Sequence, residues 1–184
     1  MIQRIKDKHE RALLGIARLE QLLSFRLAVT QRLLDRQMTR LLERHDLSLA
    51  AYRVLLTIEA FDEIAAADLV RLVVVDKGLI SRSCQDLTTR GLITARIDPS
   101  NARRKLLSLT EDGRTRLAAL KPDADARNIA IEDQLDPDER SSLDRALTKI
   151  TRHVSEDLGQ DMTLRAIASL PPASETTDHG PLSA

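Results

Sequence analysis

Apolar residues recur along most of this chain at the three- and four-residue spacing of amphipathic helices. The first clear pattern predicts a long helix over residues 24–45, capped by Ser24. Its apolar stripe consists of Leu27, Leu34, Met38 and Leu41. A stripe this wide is normally buried against neighbouring elements. Residues 2–20 show weaker periodicity and much charge, so we expect a short helix there, interrupted near Gly15.

Two shorter helices are predicted after the long one. Ser48 can cap the first, whose apolar positions are Ala51, Val54, Leu55 and Ile58. The second covers residues 65–73, with Leu69, Leu72 and Val73 facing inward. Residues 61–64 are expected to form a polar turn between them.

A third short helix begins after Asp76, which is a suitable N-cap. Its apolar face is predicted from Ile80, Cys84 and Leu87, at positions i, i+4 and i+7. Gly91 is expected to end it, since glycine adopts the left-handed conformation that follows many helices.

The pattern changes after Gly91, where two short apolar runs flank a polar segment. The runs cover residues 92–97 and 105–109, and the segment between them, 98–104, contains proline, serine and asparagine. Two such runs around a turn-forming loop predict a β-hairpin. Two arginines, Arg103 and Arg104, fall near its tip.

Two further helices are predicted towards the carboxyl end. Thr110 can cap the first, and Pro122 within it is expected to kink or interrupt it. The run Asp136-Pro137-Asp138-Glu139 predicts the start of the second, because it supplies a cap, a proline at the first position and a glutamate at the third. Residues 159–184 lose this pattern, are rich in Pro, Ser and Thr near the end, and are expected to be disordered.

This order of elements resembles the MarR family of winged helix-turn-helix transcriptional regulators, from Leu47 to Leu120. The motifs that carry the resemblance are Leu47-Ser48, Tyr52-Arg53-Val54-Leu55, Asp76-Lys77-Gly78, Ser81-Arg82, Arg90-Gly91-Leu92-Ile93, Asp98-Pro99, Arg103-Arg104 and Leu109-Thr110-Glu111-Asp112-Gly113. The chain departs from the family pattern at Ala65, where a capping Ser or Thr is usual, and at Val74, where glycine is common.

The resemblance implies a mainly α fold with a small β-hairpin wing (α+β). The winged helix would occupy about residues 47–110, between dimerisation helices at 24–45 and 111–158. Residues 1–23 would form a helical extension, and 159–184 the tail.

Charge is balanced overall, with 28 basic and 28 acidic residues, so net charge gives no argument for nucleic acid. The distribution of charge does favour nucleic-acid binding, because residues 76–105 contain seven basic and three acidic residues. A basic lobe joined to a less basic one is typical of DNA-binding proteins, although a solvated hairpin that happens to be basic would look the same.

The candidate DNA contacts lie on the third short helix and the hairpin. Arg82 and Gln85 suit base edges, whereas Lys77, Ser81 and Ser83 suit phosphates. The outer face of the helix and the wing tip together give Lys77, Gly78, Leu79, Ser81, Arg82, Gln85, Arg103 and Arg104. Two alternatives remain open: Arg82 pairs with Asp86, and one of the two wing arginines pairs with an acid such as Asp98.

The resemblance also implies a homodimer and a small aromatic or anionic effector. The residues expected at the dimer interface are Leu135, Leu143, Leu147, Ile150 and Val154. Packing of these residues within one chain is the alternative. Tyr52 and Arg53 are the candidate effector residues, with core packing and a surface charge as the alternative.

Other chemistry is not indicated. One cysteine, Cys84, excludes an intramolecular disulfide and suits a small core residue, and the four histidines have no ligand spacing. We expect no metal, no cofactor, no catalysis and no membrane span, and a cytoplasmic location. The resemblance implies a homodimeric regulator that binds a pseudo-palindromic operator and is more often a repressor. The alternative is a winged-helix interaction module without specific DNA binding.

Overall fold

A computed structural model describes residues 13–72 and 77–158 of the chain. These residues belong to two compact units, of which the first ends at Leu49 and the second begins at Ala50. The elements, in chain order, are α1 (residues 13–20), α2 (Leu23–Glu43), α3 (Leu49–Phe61), β1 (Glu63–Ala65), α4 (Ala66–Leu72), α5 (Lys77–Thr89), β2 (Ile93–Asp98), β3 (Asn101–Leu109), α6 (Glu111–Glu132) and α7 (Pro137–Asp157). This confirms the predicted mainly α fold with a small antiparallel sheet.

Some of the expectations concern residues outside the described part of the chain. These are the Asp76 cap, Val73 at the end of the predicted helix 65–73, Val74 in the turn after it, the part of the extension before residue 13, and the tail from residue 159.

The first unit contains α1 and α2, and two predictions about it were wrong. The chain is helical without interruption through Gly15, and the break falls instead at Leu22, whose backbone is extended. Ser24 is not the cap of α2, because the helix already begins at Leu23 and makes no side-chain cap bond at Leu22. The buried side chains of α2 are Met38, Leu41 and Leu42. Leu27, near its start, is exposed, so the stripe is only partly buried.

The second unit contains the winged-helix core. Helix α3 begins directly after Ser48, as predicted, and buries Val54, Leu55 and Ile58. The other side chains at the centre of the core come from α4, α5, β2 and α6, and they are Leu69, Ile80, Leu87, Ile93 and Leu120.

A short strand, β1, was not predicted. It occupies positions 63–65, where a turn and the start of the next helix were expected, and it pairs antiparallel with β3, so the sheet order is β1-β3-β2. Asp62, with φ of 57°, redirects the chain from α3 into this strand. Because Ala65 pairs with Leu106 in the sheet, α4 begins one residue later, at Ala66. Pairing with β1 satisfies the backbone groups of β3 that a two-stranded hairpin would leave unpaired.

The hairpin is longer than predicted and its turn is shorter. Strands β2 and β3 extend to Asp98 and from Asn101, leaving Pro99 and Ser100 as the turn. The pairing passes from Ile97–Lys105 directly to Asp98–Asn101, so β3 bulges over residues 102–104. The bulge absorbs the residues that the sequence placed in a seven-residue loop.

Helices α6 and α7 have the predicted starts. The Thr110 side chain accepts a hydrogen bond from the Gly113 N–H at 3.0 Å, and Asp136 with Glu139 forms a complete capping box. Helix α6 continues through Pro122, so the interruption that was one of the two expected effects of this proline does not occur. Buried side chains on both sides of the proline, at Leu120 and Ala124, hold this segment in the helix.

Candidate nucleic-acid interface

Helix α5 has one buried face and one exposed face, and its ends are well defined. The helix is stopped by Gly91, whose φ is +70°. The Leu92 N–H donates to the Leu87 carbonyl at 2.9 Å, and the Gly91 N–H donates to the Thr88 carbonyl at 3.0 Å. These two bonds are the Schellman pattern, and they confirm the predicted glycine stop.

The exposed face of α5 carries all six candidate DNA contacts that were predicted on it. They are Lys77, Gly78, Leu79, Ser81, Arg82 and Gln85. The buried face was predicted less well, because Ser83 is buried beside Ile80 and Leu87, while Cys84 is only half-buried. A buried hydroxyl cannot reach a phosphate, so the phosphate-contacting role suggested for Ser83 is wrong. Burial raises the pKa of the Cys84 thiol, which disfavours the reactive thiolate.

Arg82 does not form the ion pair with Asp86 that the sequence allowed. Asp86 instead accepts a hydrogen bond from Arg90, at 3.4 Å and one turn further along α5. Arg82 is exposed and has no ion-pair partner among the described residues.

The wing holds Arg104 in a network of acidic side chains. Arg104 Nη2 donates to Asp68 Oδ2 on α4 at 2.8 Å, and Arg104 Nη1 lies 3.7 Å from Asp98 Oδ2. The alternative that one wing arginine pairs with Asp98 is therefore realised by Arg104. The Arg103 side chain lies outside the described part of the chain. Sequence reasoning missed Asp68, which is 36 positions away from its partner.

Another ion pair crosses the three-stranded sheet, from one outer strand to the other. Arg96 on β2 donates to both carboxylate oxygens of Glu63 on β1, at 2.7 and 2.5 Å. The pair spans β3, which lies between these two strands. Bidentate arginine–carboxylate geometry of this kind fixes both side chains in orientation as well as position.

These ion pairs divide the basic residues of the region into two groups. Arg90, Arg96 and Arg104 are held by acids of the chain itself. Among the described residues, three exposed cations have no such partner, namely Lys77, Arg82 and Lys105. Lys105 was not among the predicted contacts, although its place beside the two arginines was the available signal.

The Asp98 side chain stabilises the wing turn through hydrogen bonds. Its Oδ1 accepts hydrogen bonds from the Ser100 hydroxyl at 2.6 Å and from the Ser100 N–H at 2.8 Å. These two bonds, followed by the positive charges of Arg104 and Arg96, hold the pKa of the Asp98 carboxyl below its usual range. The carboxylate therefore remains ionised and keeps the turn closed.

The end of α5 is also joined to the start of α6. The Leu92 carbonyl accepts a hydrogen bond from the Thr110 N–H at 3.1 Å, and the Gly91 carbonyl accepts one from the Thr110 hydroxyl at 2.6 Å. Gly113 lies so close to Leu92 that a Cβ would overlap the Leu92 carbonyl oxygen. One backbone junction thus connects the candidate recognition helix, the wing and α6.

Comparison with known proteins decides the family. A family model described as MarR matches residues 45–104. An HTH-type transcriptional regulator of Bacillus cereus is 32% identical over 113 residues, which are 61% of this chain and 75% of that relative. The chain belongs to the MarR family. Its fold and its relatives are those of transcriptional regulators and not of enzymes.

Solved structures of MarR-family proteins share this fold. A mutant MarR from E. coli, in complex with operator DNA, superimposes with a TM-score of 0.64 at 22% identity, covering 70% of this chain and 92% of that one. BpsR of Bordetella bronchiseptica, whose DNA binding is regulated by 6-hydroxynicotinic acid, gives 0.65 at 21% identity, covering 71% and 94%. At this level of identity the likeness concerns the fold alone.

The two candidate effector residues of this MarR-family chain lie on α3, and both are half-buried. Burial raises the pKa of the Tyr52 phenol, and the negative charge of Asp125 on α6 raises it further. The phenol therefore lies within electrostatic range of α6. An open pocket of about 610 Å³ lies elsewhere, at the junction of α6 and α7, and is lined by Asp133, Leu135, Pro137, Arg140, Ser141 and Asp144. Neither Tyr52 nor Arg53 lines it.

Helix α7 exposes its apolar stripe. Leu143 is 46% exposed, Leu147 41% and Val154 47%, while Ile150 is half-buried. Leu135, half-buried, precedes the helix and donates its N–H to the Glu132 carbonyl at 3.0 Å. Leu143, Leu147 and Val154 are therefore not buried within one chain, as the alternative would require.

Within residues 13–72 and 77–158, no cluster of His, Cys, Asp and Glu side chains has the geometry of a metal site. No helix in the same ranges has the length and apolar character needed to cross a membrane.

Proposed function

We propose that this MarR-family chain is a homodimeric regulator that binds a pseudo-palindromic DNA operator and acts as a repressor. The observation that carries this proposal is the exposed face of α5, where Arg82 and Lys77 have no ion-pair partner among the described residues. Most other arginines nearby are occupied by acids of the chain. Cations left without a partner on a helix face are what a polyanion requires.

The residues of α5 would contact different parts of the DNA, according to the chemistry of their side chains. Arg82 can donate two hydrogen bonds to guanine, and Gln85 can exchange two with adenine. Leu79, which is 40% exposed, suits contact with a thymine methyl group. Lys77 and Ser81 suit phosphates, and the absence of a side chain at Gly78 permits close approach to the backbone. Two such helices in a dimer would read half-sites whose centres are about 34 Å apart.

The wing would add contacts to the backbone or the minor groove. Lys105 is exposed there, and Arg103 remains a candidate from the sequence. Replacing Arg103 by alanine should weaken binding to all duplexes and lower the salt slope by about one for each phosphate that is no longer neutralised.

The homodimer is supported by the exposed stripe of α7. Several large apolar side chains at helical spacing are costly to leave in water, and a second copy of the chain would cover them. The repressor role rests on the family resemblance. Release by a small aromatic or anionic effector is supported by likeness to regulators such as BpsR, with Tyr52 and Arg53 as the candidate effector residues. A role on DNA fits the cytoplasmic location expected from the sequence.

The test is fluorescence anisotropy with labelled DNA from upstream of the gene of this protein. The titration is run at two salt concentrations with excess non-specific competitor DNA, and the mass of the complex gives the number of chains bound. Binding that survives the competitor with two chains per site supports the proposal. Binding that the competitor abolishes contradicts specific recognition of that segment. Failure to bind even at low salt would favour the alternative, a winged-helix interaction module.

A further inference from the structure

Arg104 contacts acids on two different elements. Its guanidinium donates to Asp68 on α4 at 2.8 Å and lies 3.7 Å from Asp98 in the wing turn. All three side chains are largely removed from solvent, with exposures of 25% for Arg104, 24% for Asp68 and 11% for Asp98. Arg71 also approaches Asp68, but only to 4.0 Å. Arg104 is therefore the principal partner of Asp68.

The backbone of β3 does not fix the position of Arg104. Arg104 lies in the bulge between the Ile97–Lys105 and Asp98–Asn101 pairs, so residues 102–104 have no partner in β2. The residues of a bulge are left unpaired, and the ladder is locally disrupted there. The side-chain contacts of Arg104 then determine where this part of the wing lies relative to α4. Because Ser100 fixes the Asp98 carboxylate, the guanidinium has one anchor on each side.

We propose that Arg104 is a positioning residue that holds the wing against α4 through Asp68, and that the DNA contacts of the wing are made by its neighbours. This role rests on the proposed function. Simple electrostatics would predict the opposite effect of losing Asp68, because two acids near the guanidinium offset its attraction for a phosphate. Removing Asp68 should therefore raise the positive potential of the wing. The ion pair between Arg104 and Asp68, which ties the wing to α4, would nevertheless be lost, and DNA binding would become weaker.

The direction in which one substitution changes the affinity for DNA separates the positioning effect from the electrostatic effect. Asp68→Asn removes a negative charge and the ion pair with Arg104, while the side chain keeps its size. We expect the affinity for DNA to fall by roughly five- to tenfold, the loss typical of one intramolecular hydrogen bond. The matched control is Asp86→Asn, which removes an acid from α5 without touching the wing. Asp86→Asn loses the ion pair with Arg90 but none of the contacts of Arg104, so its affinity for DNA should stay equal or rise.

The probe is the duplex most enriched from a random-sequence library by the wild-type protein. Weaker binding of this duplex by Asp68→Asn, with equal or tighter binding by Asp86→Asn, supports the positioning role. Unchanged or tighter binding by Asp68→Asn would overturn the proposal.

A second measurement needs no DNA. Amide hydrogen exchange of residues 93–109 reports how firmly the wing is held. Both Asp68→Asn and Arg104→Lys should speed exchange near the bulge by about fivefold, whereas Asp86→Asn should leave it unchanged. Arg104→Lys keeps the charge but loses the two-pronged geometry. Equal exchange in all variants would show that the tie does not hold the wing. If the wild-type protein enriches no duplex, the proposed function and the role of Arg104 in DNA binding both fail, while exchange still reports on the tie itself.

Discussion

Gly113, in the first turn of α6, lies against the backbone of Leu92, and the space between them has no room for a side-chain carbon. Leu92 connects the end of α5 to strand β2 of the wing, and its carbonyl also accepts a hydrogen bond from the Thr110 N–H. The contact therefore joins the candidate recognition helix to α6 through the backbone. A substitution here disturbs two elements at once.

Gly113→Ala should destabilise the fold by about 1–3 kcal/mol, because the new methyl group must displace the Leu92 carbonyl. Denaturant unfolding followed by circular dichroism measures the change in the free energy of unfolding. Gly15→Ala is the matched control, since no atom lies within 4 Å of a Cβ placed there and alanine favours helix. A Gly113→Ala variant as stable as this control would show that α6 can shift without cost.

The wing turn should lose stability in acid. The pKa of Asp98 is lowered by the Ser100 hydrogen bonds and then by Arg104, so its ionised form stabilises the fold. That contribution is fully present above the usual carboxylate pKa of about 4, and it is lost as the pH falls through the lower pKa of the folded protein. We expect the stability difference between wild type and Asp98→Asn to shrink as the pH is lowered from about 6 to about 2.5. A difference that stays constant across this range would argue that the charge of Asp98 is irrelevant.

Arg82 and Lys105 should differ in the kind of binding energy they supply. Arg82→Ala should cost about 1–3 kcal/mol on the preferred duplex and relax selectivity at one base pair. Lys105→Ala should weaken binding evenly on all duplexes and lower the salt slope by about one. Anisotropy titrations on duplexes with single base-pair changes, at several salt concentrations, measure both. If Arg82→Ala weakens every duplex equally, Arg82 contacts a phosphate and not a base.

The exposed stripe of α7 should hold the dimer together. Leu147→Asp places a charge in the stripe and should convert the protein to monomers without unfolding it, because Leu147 is 41% exposed within one chain. Light scattering after size exclusion gives the mass. Lys149→Asp is the control, since two residues along a helix turn the side chain by about 200° away from the stripe. Loss of the dimer in both variants, or in neither, would count against this interface.

Several features formed by residues within about one helical turn of each other could be predicted from the sequence alone, although the Ser24 cap and the break near Gly15 were predicted wrongly. The capping box at Asp136, the Thr110 cap and the glycine stop at Gly91 were all predicted, because each is formed by residues at most five positions apart. The exposed face of α5 followed from the same short-range periodicity. The partner of Asp86 was left open, since this acid has an arginine four residues away on either side. An acid preceding its base along a helix is the better arrangement, which agrees with the observed pair to Arg90.

Contacts between residues far apart in the chain could be read only from the three-dimensional structure. Strand β1 forms because β3 offers it an edge more than forty residues away along the chain, and the local sequence of β1 carries no signal for that. Ser83 and Cys84 both fit a helical period, and packing selected Ser83 for the buried face. Arg104 pairs with Asp68, which lies 36 positions away along the chain and on another element. Such choices depend on which surfaces meet in three dimensions, and short-range spacing does not encode that.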